Sequence, residues 1–207
     1  LVTNRWREGF DDGSFATTGE CSWQHSAVPT LWATPGGDFD ETELGHRLRE
    51  YPGDTEAVFV LNVTKLQAVV DDASLNLGFV LRDDSNLGST QFVGRGIVRT
   101  TPPQLIIEVD GAVPERPVVL PDVASRITSN VTRETFIRSS STSANFGGMT
   151  TFNVGGTDRG LVFFDGLNDL QGSRVKSAFL RMDIRSRSGS YFPCASSAGV
   201  GCAKVHV

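Results

Sequence analysis

Apolar and polar positions alternate along most of this chain, in runs of four to eight residues that stop at Gly, Ser, Asn or Asp. Side chains two apart share a strand face and turn residues end the run, so the pattern predicts antiparallel strands. It is plainest from Thr135 to Asp165. Thr135–Arg138 is β-branched and aromatic, Ser139–Gly148 is a polar turn, Met149–Val154 alternates, and Gly160–Asp165 follows Gly155-Gly156. The same reading places strands at Leu1–Trp6, Cys21–Gln24, Ala57–Val63, Leu75–Arg82, Thr90–Arg95, Leu105–Asp110, Val175–Ile184 and Lys204–Val207. In Leu75–Arg82 the residues Leu75, Leu77, Phe79 and Leu81 fall on one face. Thr64–Val70 is the one helical stretch, with Thr64 as its cap, and the charged Thr42–Gly53 reads as a polar loop or an edge strand. The total of about eleven or twelve strands predicts an all-β, antiparallel fold.

A length of 207 residues suits one all-β domain. The net charge of −5, with both signs interspersed and no Lys/Arg stripe, argues against a nucleic-acid partner. The longest apolar runs, such as Ala57–Leu61 and Leu161–Phe164, are too short to span a bilayer. Leu1-Val2-Thr3-Asn4-Arg5 carries no apolar signal region, which is compatible with a processed secreted chain. Gly111–Pro121 holds three prolines in an extended, semi-rigid linker. It divides the chain into 1–110, a linker at 111–123, and 124–207. Cys194 and Cys202 flank the loop ASSAGVG and form a candidate disulfide, which would indicate an oxidising, extracellular setting; two free thiols on a hairpin are the alternative. Cys21 shares a face with Trp23 and reads as a small buried hydrophobe, or as a partner for Cys194 or Cys202.

The chemistry-bearing residues point away from catalysis. His25, His46 and His206 have no motif partner, and neither GxSxG nor a Cys-His constellation occurs. Asp11-Asp12, Asp71-Asp72 and Asp83-Asp84 are adjacent pairs that would point to opposite faces of a strand, so they read as turn residues and not as a glycosidase pair. Hard oxygen ligands cluster at Asp11, Asp12 and at Asp38, Asp40, a candidate structural Ca²⁺ set whose alternative is solvated turns. A sugar platform needs exposed rings, and the candidates are Trp6, Trp23, Trp32, Phe39 and Tyr191, with Arg47 and Arg49 available for uronate carboxylates. Asn62-Val63-Thr64 and Asn130-Val131-Thr132 match the glycosylation acceptor pattern, with Asn62 placed in a strand.

The second half, TFIRSSSTSANFGG, FNVGG and DRGLVFFDGLNDLQGSRVKSAFLRMDI, resembles the start of the DNRLRE-type module, also classed as carbohydrate-binding module family 96. The first half, NRWREG, CSWQHSAVPTLWATPGGDF, VFVLNVTKLQAVV, NLGFVLR and PQLIIEVDG, resembles the end of the same module. The order of the two pieces is swapped relative to that family. Reading KVHV into LVTNRWREG restores one family-like strand, so the chain looks circularly permuted. The resemblance implies an antiparallel jelly-roll β-sandwich in a secreted protein. It also implies packed positions for Trp6 and Trp23, leaving Trp32 in its loop as the platform ring or as packed beneath that loop.

A half-module alone would expose strand edges and an open apolar face. Its completion is expected in cis, by half-module exchange with a neighbouring copy, or within a longer tandem chain. The semi-rigid linker favours exchange and a head-to-tail filament, with Leu1, Val2, Val205 and Val207 in the assembly strands. The expected function is that of a non-catalytic, extracellular structural protein whose partners are copies of itself. The alternative is a monomeric carbohydrate-binding module for acidic polysaccharides.

Overall fold

The computed structural model describes residues 2–47, 53–83, 88–95, 100–110, 125–189 and 203–206. Its strands are β1 (His25–Ala27), β2 (Thr30–Leu31), β3 (Glu43–Arg47), β4 (Glu56–Leu61), β5 (Phe79–Asp83), β6 (Gly88–Val93) and β7 (Gln104–Asp110), followed by β8 (Ser125–Asn130), β9 (Arg133–Arg138), β10 (Thr151–Gly155), β11 (Asp158–Phe163), β12 (Arg174–Gly189) and β13 (Ala203–His206). One helix, α1 (Val63–Asp71), follows β4. The fold is all-β and every strand pairing among the described residues is antiparallel.

The main sheet runs β4-β3-β13-β5-β11-β10-β6-β12-β7-β8, with β9 on the other side of β11. It curls back on itself because β12 also pairs with β4. The 16 residues of β12 make this possible. Its first part lies between β7 and β4, and its last part, from Ile184, lies beside β6. A register shift between Ile184 and Ser186 marks the change of partner, as expected where an extra residue bends a strand.

Alternation fills the interior. On β4 Ala57, Phe59 and Leu61 point inward, and Phe79, Phe92, Phe136, Phe152, Phe164, Leu180 and Met182 join them in one core. α1 closes this core with Leu66, Val69 and Val70. The alternate residues of β5, β9 and β11, namely Val80, Ile137, Leu161 and Phe163, face outward and are equally buried. They are covered by Val2, Trp6, Cys21 and Trp32 from the first forty residues, a second core on the outside of the sheet.

That cover is tied to the second half by Asn145. Its Nδ2 donates to the carbonyls of Glu8 at 2.7 Å and Cys21 at 2.9 Å, and its Oδ1 accepts from the N–H groups of Gly147 at 3.0 Å and Asp11 at 3.2 Å. The two segments touch backbone to backbone: a Cβ at Gly147 would stand 2.2 Å from the Glu8 carbonyl oxygen, and one at Gly148 2.2 Å from that of Phe10. Only glycine permits so close an approach.

Several sequence expectations change. Cys21–Gln24 is not a strand; β1 begins at His25. Of the expected strand Leu1–Trp6, Val2 alone among the described residues makes a bridge, to Phe39. Thr42–Gly53 contains β3, an interior strand between β4 and β13. Leu75 lies in a short 3₁₀ turn and is exposed, so the shared inward face of that stretch is Phe79 and Leu81. Asn62, not Thr64, caps α1, accepting from the Lys65 N–H at 3.1 Å; a cap precedes the first helical residue, and Thr64 already lies inside the helix. Cys21 is a buried, free thiol, pushed well above its ordinary pKa by burial.

Candidate functional site

The clearest concentration of polar and aromatic side chains lies at the edge of the outer core. Arg82 and Arg159 take the outward positions of β5 and β11, next to the cover. Arg159 donates to the Gly36 carbonyl at 2.7 Å, and its guanidinium stands 4.9 Å from the Trp23 ring centre and 5.2 Å from that of Phe39. Arg82 stands 5.4 Å from the same Phe39 ring and pairs with Glu41 at 2.8 Å. Gly36 has φ +97°, and a Cβ there would fall 2.6 Å from the Arg159 guanidinium and 2.7 Å from the Trp23 ring. Two cavities meet at Arg159. One, of about 250 Å³, is lined by Trp23, Arg82, Asp83, Ser139, Thr157 and Asp158. The other, of about 600 Å³, lies along Thr3, Thr34, Asp38 and Phe39. Arg138 grips Asp158 with two hydrogen bonds, at 2.7 and 2.8 Å, and so fixes one wall.

A second cluster joins the cover to β9. Glu134 is 4% exposed. Its Oε1 accepts a hydrogen bond from the Arg95 N–H, while its Oε2 is buried with no hydrogen-bond partner. The Glu134 N–H donates to Glu8 Oε1 at 3.1 Å, and the Arg95 guanidinium holds both oxygens of the Glu8 carboxylate. Burial pushes the Glu134 carboxyl up to about 7; Arg95 opposes the rise and the Glu8 charge adds to it.

The third feature is the seat of β13. Lys204 and Val205 lie opposite His46 and Gly45 of β3 on one side and opposite Arg82 and Leu81 of β5 on the other. His206 is opposite Val80, and the Val2 N–H donates to the Gly78 carbonyl at 3.3 Å. Residues 206 and 2 therefore lie in line along one strand. At the linker, Val109 of β7 is opposite Ser125 of β8, so 111–123 joins two paired neighbours.

Of the residues expected to bind sugar, the structure describes Trp32 and Arg47, and both are buried. Trp32 is 4% exposed, with its Nε1 donating to the Ser22 carbonyl at 2.9 Å, so its ring is core and cannot stack on a ligand. Arg47 is 2% exposed and paired with Asp54 at 3.2 Å, so it is not presented to a uronate. Arg49 and Tyr191 lie outside the described residues, as do Cys194, Cys202, Leu1 and Val207.

The four acidic residues of the expected calcium set are placed in turns and loops. Asp38 staples a turn, accepting from Asn4 Nδ2, the Ala33 N–H and the Thr34 N–H, each at 2.7 Å. Asp40 accepts from the Thr42 hydroxyl and N–H, which hold its carboxyl below the usual range. Asp11 sits near Glu20, and partial desolvation followed by that neighbour holds its carboxyl above the usual range. With Asp12 it belongs to no group of three or more His, Cys, Asp or Glu able to hold a metal among the described residues. His25 pairs with Ser22 at 3.1 Å and His46 with Glu43 at 3.0 Å. No helix among the described residues is long and apolar enough to cross a membrane.

Sequence reasoning missed Arg159, Arg82, Asn145 and Glu134 because their partners are distant in the chain. Comparison with family models, curated proteins and solved structures returned no match.

Proposed function

We propose that this chain is a non-catalytic, extracellular structural module of jelly-roll type, circularly permuted, which builds head-to-tail assemblies when β13 is supplied by a neighbouring copy. The seat of β13 carries the reading: its partners on both sides, β3 and β5, belong to the first half of the chain. The ladder is the same whichever copy supplies the strand, so the contact is heterologous and propagates unless its rotation closes a ring. The alignment of His206 and Val2 along β5 favours a permuted DNRLRE-like module, in which those positions belong to one strand. The strand is a better exchange unit than the half-module, because β7 and β8 are already neighbours across the linker.

Cysteines at opposed positions test this. His46→Cys with Lys204→Cys, in a Cys194→Ser, Cys202→Ser background, places two thiols across the β3–β13 pair, at a spacing a disulfide accepts. Exchange predicts a covalent ladder on non-reducing gels and filaments by electron microscopy. A single intramolecular band, with monomers in size-exclusion chromatography at every concentration, would overturn it.

A second reading, a carbohydrate-binding module, is favoured by the half-buried Trp23 ring beside Arg159 at the edge of a 250 Å³ cavity. Aromatic surface next to a few fixed polar groups is how sugar sites are built.

A further inference from the structure

We infer that the cavity lined by Arg5 and Arg133 binds one oxyanion group, of the carboxylate, sulfate or phosphate type. The inference goes beyond the assembly reading and uses none of its strands. The cavity, of about 390 Å³, lies where the cover meets the start of β9 and the end of β11. It shares no lining residue with the groove at Arg159.

Arg133 is held there as a fixed fork. It stands opposite Phe163 across the β9–β11 pair, and its guanidinium lies 3.7 Å from the centre of that ring. Its Nη1 donates to the Trp6 carbonyl at 3.3 Å. Among the described residues Nε and Nη2 make no hydrogen bond, and neither is buried, so both donors face open space. Nε and Nη2 are the same two nitrogens with which Arg138 grips the Asp158 carboxylate. A guanidinium edge of this kind, already oriented by its surroundings, matches an oxyanion through two parallel hydrogen bonds.

The charges around the fork favour an anion. Two guanidiniums, Arg5 and Arg133, and one carboxylate, Asp165, line the cavity, and +2 with −1 leaves +1. None of the three is in an ion pair among the described residues. Glu8, which also acts on Arg133, is already held through both oxygens by Arg95. Burial holds the Arg133 guanidinium below its ordinary pKa, with Asp165 opposing and Arg5 adding to the fall. An entering anion therefore relieves the repulsion between two like charges. Asn168 supplies an exposed amide at the rim, and the unpartnered acceptor Asn76 Oδ1 is buried out of reach.

Thermal unfolding of the whole chain tests the site, in acetate, sulfate and phosphate, each against chloride of equal ionic strength. At about ten times its Kd, at least one of the three should raise the melting temperature by about 3–6 °C. Excluded salts stabilise any fold, so the variants decide. Arg5→Gln removes an exposed charge that makes no hydrogen bond among the described residues, and should weaken binding by up to about fivefold. Arg133→Lys keeps the charge but loses the fork, and should weaken it about tenfold. Asp165→Asn should tighten it. Sulfate and phosphate ahead of acetate would support a tetrahedral group at this site, and acetate ahead a carboxylate. No gain with any of the three, or equal gains in the parent, Arg5→Gln and Asp165→Asn, would overturn the site. The full gain kept in Arg133→Lys would overturn the fork.

Discussion

Replacing Asn145 by alanine lowers the stability of the fold by about 4 kcal/mol, because each buried group left without a partner costs about 1–3 kcal/mol. The side chain is 1% exposed and all four hydrogen bonds its amide can make are made. Alanine strands two carbonyls and two N–H groups where the first forty residues meet the turn at 145–148. Asn145→Asp tests the same point without a cavity, since an oxygen replaces the donor that faces the Glu8 and Cys21 carbonyls. Both variants should melt roughly 8–16 °C lower, at about 2–4 °C per kcal/mol for a chain of this size. Hydrogen exchange should rise first in the cover, at Val2, Trp6 and Cys21, and later in β4 and β7. A loss below about 1 kcal/mol in urea unfolding would remove Asn145 from this role.

Glu134 gives the second large effect, and it depends on pH. A carboxyl raised from 4.5 to about 7 in the fold holds its proton more tightly folded than unfolded. Its contribution is therefore fully present below about pH 4.5, is lost as pH rises to about 7, and is constant above. The interval corresponds to about 3 kcal/mol. Glu134→Gln removes the ionisation while keeping an acceptor for the Arg95 N–H. The stability difference between variant and parent should shift by about 3 kcal/mol in favour of the variant between pH 4.5 and 8. Parallel pH–stability curves in denaturant titrations would contradict it. The groups facing Glu134 are Glu8 from the cover and Arg95 after β6, so Glu8→Gln should lower the midpoint of the same transition.

The strands that were legible in advance are those whose surroundings are simple. β4 and β7, in AVFVL and LIIEVD, and the first part of β12 have apolar inward positions at a spacing of two. The helix was visible as TKLQAVV because its buried face recurs at helical spacing. β3 was ambiguous because ELGHR is short and charged, and only its place between β4 and β13 makes it interior. One signal for the cover lies in the sequence itself. Phe79-Val80-Leu81 and Leu161-Val162-Phe163-Phe164 are apolar without alternation, which in a strand means burial on both faces.

The groove had no comparable signal. Trp23, Phe39, Arg82 and Arg159 are separated by stretches that do not repeat, and each alone reads as an ordinary loop or strand residue. Trp32 was the more attractive ring because PGG follows it, yet the turn folds it inward and the Ser22 carbonyl satisfies its indole N–H. Asp38 and Asp40 have the oxygen chemistry a cation would use, but backbone N–H groups and the Thr42 hydroxyl take it first.

Local order in the chain thus determined the class of fold and the position of most strands and the helix, since each depends on neighbours a few residues apart. Tertiary structure alone decided which strands close the curled sheet, which aromatic rings are core, and which charges meet. Those outcomes depend on residues such as Glu8 with Glu134, or Gly36 with Arg159, that come together only when the outer face of the sheet is covered.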